Sequence, residues 1–145
     1  MKPAINYFAV LVAALVQFVL GALWYSPALF INKWMEATGV TADMGKQMTG
    51  GQMAMNFGGS FITYLVCYYV MAHFIQYTGA KTAKDGAQTG FWLWLGFVGT
   101  TLMVNVIYQM RPMSLFFIDG GHTLVSLIAG GIILALWQKK AAVQK

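Results

Sequence analysis

The chain has 145 residues, of which 59% are hydrophobic and only 9% are charged. Soluble domains carry about 25% charged residues, so a compact soluble fold would have too few polar side chains to cover its surface. The composition therefore predicts one domain that uses lipid as its outer solvent. The formal charge of +5 does not favour nucleic-acid binding, because the basic residues cluster at the ends of apolar segments, as in membrane proteins.

Four apolar segments are long enough to cross a bilayer, which requires about 20 residues. They are predicted at about residues 5–25, 53–76, 87–109 and 114–137. The first is longer than the core of a signal peptide and no cleavage motif follows it, so we expect it to be retained. The predicted fold class is all-α, an integral membrane bundle of four transmembrane helices.

The longest connection, residues 26–52, is predicted to hold a short helix in the outer membrane interface. Ser26 and Pro27 match an N-cap followed by a proline at the first helical position, and Gly39 can end the helix. Gly50 and Gly51 are expected to break the chain before the second span. Apolar residues follow at helical spacing: Leu29, Phe30, Trp34 and Met35.

The basic residues predict the orientation. With four spans, both termini and the loop 77–86 share one side, which holds six of the nine basic residues. An excess of lysine and arginine marks cytoplasmic loops. We therefore expect a multi-pass protein of the bacterial inner membrane with both termini in the cytoplasm. The six are Lys2, Lys81, Lys84, Lys139, Lys140 and Lys145.

Polar side chains recur at helical spacing within three of the spans, which places each set on one helix face. The first span adds Gln17 near its middle. Buried polar groups in membrane helices usually face the bundle interior or a water-filled cavity. The three sets are Asn56, Ser60, Thr63 and Cys67; Thr101, Asn105 and Gln109; and Asp119, His122, Ser126 and Gly130.

Asp119 and His122 are the most informative of these residues, because an ionisable side chain within a membrane helix is costly and usually functional. At about 1.5 Å per residue they lie roughly 8–12 Å below the outer end of their span. Asn56, Asn105 and Gln109 fall at similar depth. The five residues are therefore predicted to line one polar binding pocket that opens to the outer side.

Other interpretations of these residues remain open. The neutral polar residues could serve only as interhelical hydrogen bonds, and His122 could serve only to neutralise Asp119. Seven methionines on the outer side would suit copper, although methionine also fills interfacial positions. Asp119, His122 and Ser126 stack along one helix and are poorly placed to converge on a reacting atom. We predict no cofactor and no metal, and the sequence offers no convincing nucleophile for an enzyme.

Two stretches carry a resemblance to a known family. WYSPALF at Trp24–Phe30 and the run from Trp94 to Trp137, with the Arg111-Pro112 turn inside it, resemble the small bacterial membrane proteins catalogued as domain of unknown function 1761. The resemblance covers nearly the whole chain. It implies a four-span integral membrane protein and no assigned activity.

The function favoured by the sequence is binding or translocation of a small solute or ion at the outer polar pocket. The alternative is a non-catalytic accessory protein that helps to assemble a larger membrane complex. A homo-oligomer is also expected, because four helices enclose little space and their glycine-rich faces can associate.

Overall fold

The computed structural model describes residues 4–139, and all regular structure in that range is helical. Four units are long and apolar enough to cross a membrane: α1, α4, the continuous stretch Ala83–Tyr108, and α7. The predicted four-helix membrane architecture is thereby confirmed. The elements are α1 (Tyr7–Trp24), α2 (Ile31–Thr38), α3 (Ala42–Lys46), α4 (Gly50–Tyr77), α5 (Ala83–Leu93), a π segment (Trp94–Gly99), α6 (Thr100–Tyr108) and α7 (Met113–Leu136).

Two spans begin earlier than predicted because side chains cap them. At the start of α4, Thr49 and Gln52 form a capping box, in which each side chain satisfies the other's free backbone N–H. Thr82 and Asp85 do the same at the start of α5. The predicted break at Gly50-Gly51 is therefore wrong, since both glycines lie in the first turn of α4, and the polar loop before α5 ends at Thr82.

The first loop contains the expected short helix, but it begins later than predicted. Residues 26–30 form turns in which the Ser26 carbonyl accepts from the Leu29 and Ile31 amides, so Ser26 is not an N-cap. Helix α2 starts at Ile31 and ends at Gly39, whose φ of 76° forms the predicted left-handed cap. Whether α2 lies in the membrane interface stays a prediction.

The third span is interrupted by a π segment at Trp94–Gly99, which the sequence analysis did not anticipate. In a π segment each hydrogen-bonded turn contains one more residue than in an α-helix, and such segments often occur at functional positions. Here it lays the Trp94 ring over Gly99 and toward Gly120 of α7. By contrast, α7 is a continuous helix through Gly120-Gly121.

Helix α7 is the centre of the bundle and contacts α1, α2, α4, α5 and α6. Its contact with α5 is close because glycines face each other. A Cβ placed on Gly86 would overlap the main chain at Gly131, and a Cβ on Gly90 would overlap the Leu127 carbonyl. Small residues allow membrane helices to approach in this way.

Helices α1 and α4 pack on the other side of α7. The α1 face toward the core is built from alanines, with Ala9, Ala13 and Ala14 fully buried. Tyr68 of α4 is also fully buried, and its hydroxyl donates to the Ser126 carbonyl of α7 at 2.8 Å. We call the end of the bundle at Tyr7, Tyr77 and Leu136 the terminus side, and the end that carries α2 and α3 the loop side.

Candidate functional site

The uninterrupted α7 places Asp119 and His122 on one face, three residues apart and near the loop side. Glycines 120 and 121 stand between them and are helical, so the predicted i, i+3 relation holds. Only 5% of the His122 surface is exposed, and the Asp119 side chain is half-buried. The two ionisable side chains predicted from the sequence therefore do lie together inside the bundle.

The end of α1 closes over Asp119 through two aromatic residues. The Tyr25 hydroxyl donates to Asp119 Oδ1 at 2.8 Å, and the Trp24 indole Nε1 donates to the Ile118 carbonyl at 3.0 Å. The Trp34 ring of α2 lies 5.9 Å from the Tyr25 ring, edge to face. The first loop thus covers the carboxylate from the loop side.

A second pair of residues fixes the helix turn that carries Asp119. Trp94, at the start of the π segment, donates from Nε1 to the Thr123 hydroxyl at 3.0 Å. The Thr123 hydroxyl in turn donates to the Asp119 and Gly120 carbonyls, both at 3.0 Å. The π segment therefore supports the Asp119 turn from the side opposite α1.

Three buried polar atoms below Asp119 have no hydrogen-bond partner within residues 4–139. They are Gln17 Oε1, His122 Nε2 and Ser126 Oγ, and each residue is at most 6% exposed. The His122 ring packs against α1 at Gly21 and Gln17. Buried polar groups are almost always paired with protein, water or a ligand. These atoms can therefore form hydrogen bonds with a small bound species.

The charge at this site is not balanced by a basic side chain of the described chain. Among residues 4–139 the one ion pair joins Lys46 to Asp43 at 3.1 Å, and both side chains are exposed. The Tyr25 hydroxyl donates a hydrogen bond to the Asp119 carboxylate, the Trp34 side chain is a second polar neighbour, and the His122 ring is a nearby ionisable group. An isolated carboxylate charge is expensive to hold in a membrane helix.

The other three predicted site residues lie elsewhere. Asn56 is exposed on α4, and its amide contacts Met48 Sδ at 3.3 Å. Asn105 and Gln109 are exposed at the loop end of the third span. Within one chain these three amides do not meet Asp119 and His122, because the buried face of α4 is formed by residues nearer the terminus side.

The remaining hydroxyls of the predicted polar faces bond within their own helices. Ser60 donates to the Asn56 carbonyl at 2.6 Å, and Thr63 to the Gly59 carbonyl at 2.9 Å. Thr101 likewise donates to the Phe97 carbonyl at 2.6 Å. Such bonds to the preceding turn satisfy a hydroxyl in lipid without a partner helix.

The residues that hold the pair in place were not predicted from the sequence. Trp24 and Tyr25 lie at the end of the first span, where aromatic residues ordinarily mark the membrane surface, yet both bond to α7. The WYSP motif that ends the first span was the available signal. No sequence pattern pointed to Trp94 and Thr123, because they become neighbours only through the π segment.

The arrangement suits the binding of a very small species better than bond-making chemistry. No group of three or more His, Cys, Asp or Glu side chains able to hold a metal is present in residues 4–139. Ser126 Oγ is buried one turn below His122, with no hydrogen bond between them in the described structure. What the site offers is one carboxylate, one imidazole and neutral oxygens in a closed, low-dielectric setting.

A comparison with family models matches residues 8–135 to a protein family of unknown function (DUF1761). Because the match spans most of the chain, the chain belongs to this family. No curated protein and no solved structure matches the chain. The family match and the four apolar helices together support a small membrane protein of unknown activity.

Proposed function

We propose that this member of the DUF1761 family binds one positive charge, a proton or a monovalent cation, at Asp119. The observation that carries the proposal is the Asp119 carboxylate, half-buried under Tyr25 and without a lysine or arginine partner in the described chain. A single carboxylate in low dielectric becomes tolerable when one positive charge offsets it. That charge can be a proton on Asp119 or His122, or a bound cation.

The packing around the pair favours a small occupant over an organic solute. A Cβ on Gly21 would lie 3.3 Å from His122 Nε2, and one on Gly121 would lie 3.0 Å from the Trp24 ring. The helices and aromatic rings thus leave little space beside the two ionisable side chains. A proton, a water molecule or a partly dehydrated ion fits these dimensions.

The unpartnered polar atoms extend the site toward the middle of the bundle. From Asp119 toward the middle of the bundle these polar atoms are His122 Nε2, Gln17 Oε1 and Ser126 Oγ, which together form a line about 10 Å long beside α7. Below it, the Tyr68 hydroxyl bonds the Ser126 carbonyl. Chains of ionisable and neutral polar groups are the usual means of moving protons or ions within membrane helices, so the line also offers a route for translocation.

The proposal includes an orientation. The excess of lysines near the terminus side supports an orientation in which both termini lie in the cytoplasm of a bacterial inner membrane. Asp119 would then face the outer side beneath α2, and ions would reach it by displacement of Tyr25 and Trp34.

The test is the thermal stability of the purified protein in detergent under two series of conditions. One series varies pH at constant potassium, and the other varies sodium, potassium or choline at constant pH. A species that binds only the folded state stabilises it by about 2.7 kcal/mol at a hundred times its dissociation constant, and therefore raises the melting temperature. The parent, Asp119→Asn and His122→Gln are compared, with the exposed Asp43→Asn as the matched control.

A response to pH alone identifies the proton, and a response to sodium or potassium over choline identifies a cation. In either case the response should disappear in Asp119→Asn and persist in Asp43→Asn. If the parent and Asp119→Asn respond identically in both series, Asp119 holds no exchangeable charge and the proposal fails.

A second candidate function is assembly with another membrane protein or a second copy of the chain. The first eleven residues of α4, 50–60, are all exposed, and Asn56 among them presents an amide. Polar side chains at helix surfaces promote association within membranes. Native mass spectrometry of the parent and Asn56→Leu tests this: a dimer in the parent that is weakened in the variant supports assembly through α4.

A further inference from the structure

A groove of about 550 Å³ opens on the terminus side between α4 and α5, on a different part of the molecule from Asp119. It extends along α5 and into the π segment, from Asp85 to Phe97, a length of about 18 Å. This places one end at the membrane surface and the other near the middle of the bilayer. A lateral groove at this depth is filled by lipid or by another protein, because no water is present to fill it.

The lining of the groove changes from polar to apolar along its length. Near the start of α5 the walls are Thr78, Asp85, Gln88 and Thr89. Deeper in, the walls are apolar side chains, of which Trp92 is 64% and Phe97 68% exposed. A phospholipid shows the same change from polar to apolar along its length, with a polar headgroup at the surface and an acyl chain below it.

The charge at the polar end favours an anionic headgroup. Lys81 and Lys84 are exposed chain neighbours of the lining residues Ala80 and Asp85, and no ion pair involves them within the described chain. Asp85 is the nearby acid, but its carboxylate already accepts from the Lys81 and Thr82 amides. The Gln138 side chain bonds the Ala80 carbonyl, which brings the neighbouring Lys139 to the same end.

We propose that this groove binds one anionic phospholipid, with an acyl chain along Trp92 and Phe97 and the phosphate beside Lys81 and Lys84. Basic sites between membrane helices on the cytoplasmic side bind anionic lipid headgroups. The inference is separate from the proposed ion site, since the groove shares no residue with it. It gives the protein a lipid-dependent contact where α4 and α5 separate.

The test is native mass spectrometry of the delipidated full chain titrated with phosphatidylglycerol or phosphatidylcholine of the same acyl composition. We expect one phosphatidylglycerol to bind at least about tenfold more tightly than phosphatidylcholine, because each lysine at an anionic surface contributes about fivefold. Lys81→Gln with Lys84→Gln should remove that preference. The matched control, Lys33→Gln with Lys46→Gln, removes the same charge on the loop side and should retain it.

A second variant distinguishes lipid binding in the groove from general electrostatic attraction of lipid to the lysines. Gln88→Trp places a large ring in the groove and should weaken both lipids, whereas Leu95→Trp, on the same span outside the groove lining, should weaken neither. Three results would overturn the proposal. They are equal binding of the two lipids by the parent, no effect of Gln88→Trp, and a dimer that occupies the groove and dissociates in Gln88→Trp.

Discussion

Gly86 gives the sharpest test of how α5 and α7 are packed. Replacing it by alanine adds one Cβ, which would lie 2.8 Å from the Ala135 Cβ and 2.7 Å from the Gly131 carbonyl carbon. Carbon atoms prefer separations of about 3.5–4.0 Å, so the two helices must move apart by about 1 Å. Overpacking of this kind costs about 1–3 kcal/mol.

The same change at Gly58 is the matched control, because a Cβ there meets nothing within 4 Å. Both substitutions gain the alanine helix preference of about 1 kcal/mol, so their difference isolates the clash. Equilibrium unfolding from detergent micelles with increasing dodecyl sulfate should show Gly86→Ala less stable than Gly58→Ala by about 1–3 kcal/mol. Equal stability of the two variants would refute the close contact between α5 and α7.

Three further predictions follow from single contacts. Tyr68→Phe removes the hydroxyl that donates to the Ser126 carbonyl and should lower the free energy of unfolding by about 0.6–1 kcal/mol, measured by the same unfolding assay. Arg111→Gln removes the guanidinium that donates to the Thr38 carbonyl at 3.1 Å, so the α2 amides should exchange hydrogen faster while those of α7 do not change. Asn56→Leu changes an exposed side chain and should alter the stability of the monomer by less than about 0.5 kcal/mol, so a larger loss would mean that Asn56 is buried.

The spans were predictable because their signal is local. About 20 consecutive apolar residues define a membrane helix whatever its neighbours are, and the predicted bounds differ from the structure by a few residues. The differences arise at caps. Thr49 with Gln52 and Thr82 with Asp85 extend two helices through segments that looked like loops.

The part of the candidate site that lies on one helix could be predicted from the sequence. The part contributed by other helices could not, because it depends on which helix faces meet. Asp119 and His122 share one helix, so their spacing fixed their relation. Asn56 has the same helical spacing relative to its neighbours, yet its half of α4 does not pack on α7. Tyr25 reaches Asp119 across 94 residues of sequence, and such a contact leaves no periodicity to detect.

The infrared spectrum of Asp119, recorded on protein labelled at its aspartates, tests most directly whether a positive charge is held at the site. The chain has only three aspartates, Asp43, Asp85 and Asp119, and the signal of Asp119 is the one missing from Asp119→Asn. If a positive charge is held at the site, the spectrum will show a protonated carboxyl, or a carboxylate whose band shifts when sodium or potassium replaces choline or when His122 is replaced by glutamine. An ionised carboxylate that responds to none of these changes would show that no positive charge is held at the site.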